Sequence, residues 1–362
     1  MRIALFTDNF REDMGGGTRI VVDLARGLKE RGHDVLVVTG QFVDGAGRGL
    51  DLLKLPSLRI PLYDKAEMVF PCPDLIKRLR EFDPDVIHFH EPFTAGLIAL
   101  IAGKALKKGI VGSVYIDPRH LSRYSLRIDR GGIAKALVGF MGRQASRTIF
   151  ISEYQQNTYR RFLGKRTPVR VIYPGVPDVF FRKRVCLDSG RVITVCRLAP
   201  EKNLRFALRV MAEVQRRVDA EYIIVGDGPE RDKLEKYARR LGVEVTFLGR
   251  VKREDLPAVY SDADLFLLLS KTETFGLVFA EAMACGLPVV ALRRGAVPEV
   301  VGDGGVLCGE EVKEVADAVI RLLKDRPLRE RLSEKARRRA LRFTLKRFLE
   351  DHEGVYREVI NI

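Results

Sequence analysis

Two acids eight residues apart bracket the run Glu273-Thr274-Phe275-Gly276-Leu277-Val278-Phe279-Ala280-Glu281. Were the whole run helical, their carboxylates would lie about 12 Å apart along the axis. Acid–base cleavage of a glycosidic bond needs its carboxyls about 5–5.5 Å apart in one stereochemistry and roughly 6.5–9.5 Å in the other. The spacing suits two ends of one long ligand better than hydrolysis. Phe275-Gly276 reads as the opening of a helix whose first amides face an anion. Glu273 then sits in the loop before it and Glu281 inside it. A buried Glu281 needs a hydrogen-bonding or charged partner, and a ligand hydroxyl could be that partner.

Upstream, Cys196-Arg197-Leu198-Ala199-Pro200-Glu201-Lys202-Asn203 sets two cations five residues apart after an apolar run. Arg197 with its fork and Lys202 as a point charge could clamp a diphosphate from two sides. The bland alternative is two solvated cations of a basic protein. Gly226-Asp227-Gly228-Pro229 follows the next apolar run and is either a ligand-side loop or a tight turn. Gly15-Gly16-Gly17 lets backbone amides approach an anion, or is a plain flexible turn. Its spacing is not GxGxxG and no ribose-binding acid follows convincingly, which weakens a nicotinamide dehydrogenase. In His88-Phe89-His90-Glu91-Pro92 the two imidazoles fall on one side of a strand. A metal there lacks a clear third ligand, and a hydrogen bond from His90 to a substrate hydroxyl is the more economical use. His33 and His352 read as structural. Asp83-Pro84-Asp85 and Asp262-Ala263-Asp264 precede strands, away from any ligand, so no metal site is expected there.

Short β-branched runs alternating with amphipathic stretches must position these groups. Strands are expected at Ile3–Thr7, Val35–Thr39, Val86–His90, Ile110–Tyr115, Thr148–Ile151 and Val169–Ile172, with a helix over Gly17–Arg31. After Pro174-Gly175-Val176-Pro177 the alternation restarts. Strands are expected at Arg191–Cys196, Glu221–Val225, Val245–Leu248, Leu265–Leu269 and Pro288–Ala291. Helices are expected at Asn203–Arg217, Leu234–Leu241, Phe275–Ala284 and Val312–Leu323. The class is therefore α/β, with two doubly wound domains, residues 1–176 and 177–344, facing a central cleft. The last helix, 345–362, is expected to return to the first domain. Ligands of such sheets bind beyond the carboxyl ends of the strands.

Taken together these motifs resemble the family 4 retaining glycosyltransferases of GT-B architecture, two Rossmann-like domains in tandem. The resemblance runs over nearly the whole chain. It implies that Arg197 and Lys202 hold a nucleotide diphosphate, that Glu273 and the Phe275-Gly276-Leu277 backbone meet the donor sugar, and that Glu281 meets the ribose. It places Gly226, Asp227 and Val251 on the donor side, Val251 in the Gly249-Arg250-Val251 loop near the nucleobase. Val297-Pro298-Glu299 matches a later Pro-Glu motif, although Arg294-Gly295-Ala296 stands where two glycines are usual. Gly16 and Gly17 match the acceptor-side loop. His88-Phe89-His90-Glu91-Pro92-Phe93 is similar to the enzymes that glycosylate membrane lipids, phosphatidylinositol mannosyltransferases and diacylglycerol glucosyltransferases. An active-site His of those enzymes falls here on Ile116, with Asp117 and His120 as the neighbouring substitutes. The implied reaction moves glucose or mannose from a UDP- or GDP-hexose, with retention, to the hydroxyl of a membrane lipid, a glycolipid or a soluble carbohydrate. No cofactor or divalent cation is implied, because cations and helix amides can stabilise the leaving diphosphate. Domain closure would exclude water.

Composition bounds the partners. The 362 residues carry 63 Lys and Arg against 48 Asp and Glu, a net +15. Such an excess suits a phosphorylated substrate, an anionic membrane surface or a nucleic acid, but no nucleic-acid-reading motif accompanies it. From Arg119 to Arg170 there are 12 basic and 2 acidic residues. Within that stretch Ile133–Arg147 is amphipathic, with Ile133, Leu137, Phe140 and Met141 against Lys135, Arg143 and Arg147. It reads as a membrane-surface helix or as a core-packed helix with a solvated basic face. The most lipid-like run, Pro92 to Gly103, is 12 uncharged residues, short of the ~20 a spanning helix needs. The opening Met1–Asp8 does not read as a signal peptide, and five cysteines without a CxxC pair suggest a reducing compartment. The expected place is cytoplasmic, peripheral on the inner face of the cell membrane. A sugar-nucleotide sensor without turnover and a nucleic-acid binder are the rival classes.

Overall fold

The computed structural model describes residues 1–11, 15–42, 47, 49–59, 67–117, 132–182 and 188–361. The chain divides into two units, Met1–Gly175 with Leu345–Ile362, and Val176–Thr344. His120 and Cys186 lie outside the described residues, as does much of the basic stretch after Arg119.

The first unit runs β1 (Arg2–Phe10), α1 (Gly16–Glu30), β2 (Asp34–Phe42), β3 (Asp51–Lys54), β4 (Ser57–Arg59), β5 (Glu67–Val69), α2 (Leu75–Phe82), β6 (Val86–His90), α3 (Thr94–Ala105), β7 (Gly109–Val114), α4 (Gly132–Gln144), β8 (Arg147–Phe150), α5 (Glu153–Leu163) and β9 (Val169–Val171). Seven parallel strands form one sheet in the order β3-β2-β1-β6-β7-β8-β9, and β4 and β5 form a separate antiparallel pair. The order reverses between β1 and β6, the place where such sheets bind ligands. Both strands are buried on both faces, and the polar Thr7, Asp8, Asn9, His88 and His90 are buried along with their apolar neighbours. β1 continues three residues past its expected end at Thr7. Asn9 and Phe10 keep register with Gln41 and Phe42, and Phe10 is fully buried. Asp8 is thus a strand residue in the interior rather than the first residue of a loop.

The C-terminal helix Leu345–Ile360 packs on this unit. Its Glu353 receives Arg31 at 2.6 and 3.2 Å and contacts His33 at 3.0 Å. Its Glu358 binds Arg147 and Arg170. Its Tyr356 hydroxyl lies 2.7 Å from His88 Nδ1.

The second unit runs α6 (Asp178–Arg182), β10 (Arg191–Val195), a 3-10 turn (Pro200–Lys202), α7 (Leu204–Gln215), β11 (Glu221–Val225), α8 (Arg231–Leu241), β12 (Val245–Gly249), α9 (Leu256–Ser261), β13 (Leu265–Leu268), α10 (Leu277–Cys285), β14 (Val289–Leu292), α11 (Val297–Val301), β15 (Gly305–Cys308), α12 (Val312–Lys324) and α13 (Arg326–Ala340). Its six parallel strands lie in the order β12-β11-β10-β13-β14-β15, reversing between β10 and β13. The acidic pairs clip strand beginnings. Asp83 binds Arg2 and Lys108, and Asp264 accepts from the Ser189 and Gly190 amides at 3.2 and 2.6 Å.

Candidate active site

In the second unit the reversal point gathers the loops after β10 and β13. The β10 chain leaves through Cys196–Ala199 into the 3-10 turn, and Asn203, in a left-handed conformation at φ 57°, redirects it into α7. Lys202 Nζ donates to Glu273 Oε1 at 2.7 Å. Both side chains are largely withdrawn from solvent. Burial would pull the Lys202 ammonium down, but the Glu273 carboxylate beside it outweighs this and leaves its pKa raised. Two residues the sequence treats as separate are therefore one ion pair. Burial also pushes the nearby Cys196 thiol up to about 12, so it is inert. Arg197 is half-buried in the same loop.

Two glycines fix this loop set by close approach. Gly226, at φ 129°, passes so near the first loop that a Cβ would lie 1.9 Å from the Cys196 carbonyl oxygen. The Leu198 amide donates to the Asp227 carbonyl at 3.0 Å, so the glycine turn braces the segment carrying Arg197. Asp227 and Val251 are half-buried, with Arg250 Nε 4.0 Å from Asp227 Oδ2. Gly295, at φ 58°, would bring a Cβ within 2.6 Å of the Glu273 carbonyl oxygen, and the Ala296 amide donates to that oxygen at 3.1 Å. The glycine kept in Arg294-Gly295-Ala296 is thus the one that seats Glu273.

Gly276 caps α10 in a left-handed conformation at φ 87° without a side-chain hydrogen bond. A Cβ on it would be 3.6 Å from Glu273 Oε2, so the helix start and that carboxylate are neighbours. Leu277 is the first helical residue. Phe275 is buried edge-on against Phe343, 5.2 Å between centroids. Glu281 is fully buried one helical run later. Within the protein it is partnered by Arg253, whose Nε lies 3.2 Å from Glu281 Oε1. Arg253 lies only two residues beyond the Gly249-Arg250-Val251 loop already singled out. A buried carboxylate demands such a cation, but one-dimensional spacing does not say which of many arginines supplies it.

In the first unit the reversal point is lined by the ends of β1 and β6. Asp8 Oδ1 accepts from Thr94 Oγ1 and from the Ala95 amide at 3.0 Å, capping α3. Burial raises its pKa, and the bonds from Thr94 and Ala95 only partly offset this. His90 is fully buried and its Nδ1 lies 2.6 Å from the Tyr115 hydroxyl. Burial, then His352, holds it well below its ordinary pKa. His88, 4.0 Å from His90 between ring centroids, is satisfied at both nitrogens by Tyr356 and Ser113 and is structural. Glu91 holds a left-handed backbone, φ 76°, which a non-glycine residue adopts only under constraint. Burial raises its pKa well above the usual carboxylate range; the Tyr115 amide opposes this and Asp8 adds to it. Among the described residues, Asp8 Oδ2, Asn9 Oδ1, His90 Nε2 and Glu91 Oε2 are buried without a hydrogen-bond partner.

Sequence reasoning found His90 in this group and missed Asp8 and Glu91. Gly16 and Gly17 open α1, and a Cβ on Gly17 would lie 3.7 Å from the Tyr115 ring. Asp117 is buried, and the preceding Ile116 carbonyl accepts from Gln155 and Tyr159. Among the described residues no three His, Cys, Asp or Glu side chains converge as metal ligands.

Residues 14–179 match the family description Glycosyltransferase Family 4, and residues 179–339 match Glycosyl transferases group 1. A GDP-mannose-dependent alpha-(1-6)-phosphatidylinositol monomannoside mannosyltransferase of Mycobacterium tuberculosis is 30% identical over 354 residues, 90% of each chain. A GDP-mannose-dependent alpha-mannosyltransferase of Corynebacterium glutamicum is 28% identical over 84% of this chain and 75% of that one. Among solved structures, sucrose-phosphate synthase of Thermosynechococcus elongatus superposes with a TM-score of 0.79 at 20% identity, over 99% of both chains. Anabaena HepE with UDP-glucose superposes at 0.76 and 25% identity, over 98% and 99%. With two parallel sheets, each reversing at a loop cluster of this kind, the chain belongs to the family 4 glycosyltransferases and has the GT-B fold.

Proposed function

We propose that the protein transfers a hexose, with retained configuration, from a nucleoside-diphosphate hexose to a hydroxyl of a lipid with a polyol headgroup. The observation that carries the donor half is the buried Lys202–Glu273 pair at the reversal point of the second sheet, 2.7 Å apart and next to the start of α10.

In this reading the bond from the anomeric carbon to the phosphate oxygen breaks and its electron pair stays on the diphosphate. Arg197, Lys202 and the first amides of α10 stabilise that growing charge in a water-poor site. Glu273, fixed by Lys202 and by the Gly295 contact, accepts hydrogen bonds from hexose hydroxyls. Glu281, oriented by Arg253, accepts from the ribose. Gly226 and Asp227 brace the Arg197 loop, and Val251 borders the base. The new bond forms from an acceptor hydroxyl oxygen to the anomeric carbon, and the hydroxyl proton passes to the departing phosphate oxygen.

Asp8, His90 and Glu91 serve the acceptor. Their partnerless atoms ask for several hydroxyls at once, which a sugar or cyclitol headgroup supplies and diacylglycerol, with one hydroxyl, does not. Gly16, Gly17 and Asp117 border the same region. Relatives named for phosphatidylinositol monomannoside support a lipid of this kind. Among the described residues no helix is long and apolar enough to cross a membrane. A cytoplasmic, membrane-peripheral site fits the nucleotide donor and the free thiols at Cys72, Cys196, Cys285 and Cys308.

The test is a matrix of UDP-glucose and GDP-mannose against phosphatidylinositol, diacylglycerol and soluble sugars, read by acceptor-dependent nucleotide release and product mass. Release with a polyol-headed lipid, undiminished by EDTA, is expected. Tight donor binding with no acceptor-dependent release would make the protein a sensor and end this reading.

A further inference from the structure

The first unit carries an apolar outer face that a water-exposed helix normally lacks. Phe93, at the start of α3, and Leu97 and Ile101 within it recur every four residues and so share one side. They are 38%, 47% and 62% exposed. On α4, Leu137 and Phe140 are likewise exposed. The two helices lie side by side. A Cβ on Gly96 would be 2.8 Å from Met141 Cε, and Lys104 Nζ donates to Gln144 Oε1. The β4–β5 pair is tied to the start of α3 by the Val69 amide, 2.9 Å from Thr94 Oγ1. It adds Leu58 and Met68, cross-strand neighbours and both exposed. Scattered apolar residues need no explanation, but exposed apolar side chains gathered on two adjoining helices do.

Its rim is basic. Lys104 and Lys107 are exposed at the end of α3, and Arg143 is exposed near the end of α4. Lys135 lies 5.6 Å from the Phe162 ring centroid, and Arg143 donates to the Phe162 carbonyl, so both stems are held at the rim. Residues 92–116 contain no acid, and residues 132–170 hold eight Lys and Arg against one acid, Glu153.

We propose that this α3–α4 face docks on an anionic lipid bilayer, with Leu97, Ile101, Leu137 and Phe140 at the boundary of headgroups and acyl chains. Lys104, Lys107, Lys135 and Arg143 meet the lipid phosphates. Charge complementarity selects this occupant: a second copy would bring two basic rims together, whereas an anionic leaflet attracts each cation by about 1 kcal/mol. The face differs from the one drawn on the α4 sequence alone. Met141, expected on the lipid side, is buried against the sheet, and α3 supplies the larger share of the surface. The docking does not depend on the acceptor assignment, because it needs no substrate.

The chain contains no Trp, so Ile101→Trp introduces a single fluorescent reporter. With vesicles of equal phosphatidylglycerol and phosphatidylcholine, its emission should shift to the blue, be quenched by brominated acyl chains and recover as salt rises. Leu248→Trp, at an exposed position of the second unit, should not respond. Leu97→Glu/Ile101→Glu should pellet with these vesicles at least tenfold more weakly than the unaltered protein, with an unchanged thermal midpoint. Absent binding, equal binding to phosphatidylcholine alone, or full binding by the double variant overturns the proposal. So does concentration-dependent dimerisation in sedimentation that the double variant abolishes, since the face would then belong to a second copy. Transfer activity on detergent-dispersed acceptor separates these outcomes from a failure of the proposed reaction: it should persist in the double variant.

Discussion

Each unit sets carboxylates at the point where its strand order reverses, and the two sets are kept in opposite states. In the second unit Glu273 and Glu281 are buried beside cations, Lys202 and Arg253, and the pairing holds Lys202 charged. In the first unit burial drives Asp8 and Glu91 toward the neutral acid, and it drives His88, His90 and His352 toward neutral imidazole. One reversal point is built on ion pairs; at the other, burial shifts the acids toward their neutral form and the imidazoles away from their charged one. A leaving diphosphate requires the first kind and an uncharged polyol the second. On the proposed reading, the same kind of sheet reversal serves two chemistries, through what stands beside each carboxyl.

The sharpest way to break this comparison is to remove a cation from the ionic site. Arg197→Ala and Lys202→Ala should each lower kcat about 100- to 1,000-fold, as loss of a preorganised donor to a developing anion does. Lys202→Ala also strands Glu273, a loss of ~3–5 kcal/mol in stability. Adding Glu273→Gln to it should restore the thermal midpoint but not turnover. Near-native kcat in either single variant would show that the diphosphate is held elsewhere.

What the sequence made legible follows the same divide. Both sheets are written in unbroken apolar runs, so strands such as Val86–His90 and Glu221–Val225 were readable to the residue. Glu273 and Glu281 stand out beside an apolar helix, whereas Arg197 and Lys202 join them as a set only through the family resemblance. Their pairing was not, since Lys202 and Glu273 are 71 positions apart and meet only through the sheet order. The neutral site was harder still. Asp8 looked like the end of a strand, and Glu91 like an ordinary loop acid, until register and backbone angle revealed their burial and strain. Short edge elements such as β3 to β5 carry little apolar signal. α13 hid for a different reason: its Arg-rich sequence gives no clear apolar stripe, yet Arg329 is buried, donating to the Leu322 carbonyl and to Asp188.

A smaller effect separates the two units by acid. All five histidines fall in stretches of the first unit. Burial lowers His352 to about 4 from an ordinary 6.5. The folded state therefore binds fewer protons than the unfolded chain between these values. Stability is full above about pH 6.5 and is lost as pH falls toward 4, by ~3 kcal/mol for this residue. His88 and His90 act in the same direction. Hydrogen exchange at pH 5 against pH 7.5 should show residues 86–115 and 345–360 softening while 191–292 hold, and His352→Gln should flatten the trend. Equal softening of both units would erase the distinction.

The smallest expected effect is the most specific. Because burial shifts Asp8 and Glu91 toward the neutral acid, replacing each by its amide changes shape little and disturbs charge less than at an ion pair. Asp8→Asn and Glu91→Gln should alter stability by about 1 kcal/mol or less, whereas Glu273→Gln leaves Lys202 buried without its carboxylate and loses ~3–5 kcal/mol. The Glu91 amide still fills the same space, but its NH2 replaces a group with a different donor and acceptor pattern toward the substrate. The apparent KM for a polyol-headed acceptor should therefore rise about tenfold, the scale of one hydrogen bond, with the donor KM and kcat nearly unchanged. A rise in donor KM instead would place Glu91 on the sugar-nucleotide side. A large stability loss would mean that its carboxyl is ionised in the fold, and the two reversal points would then be alike.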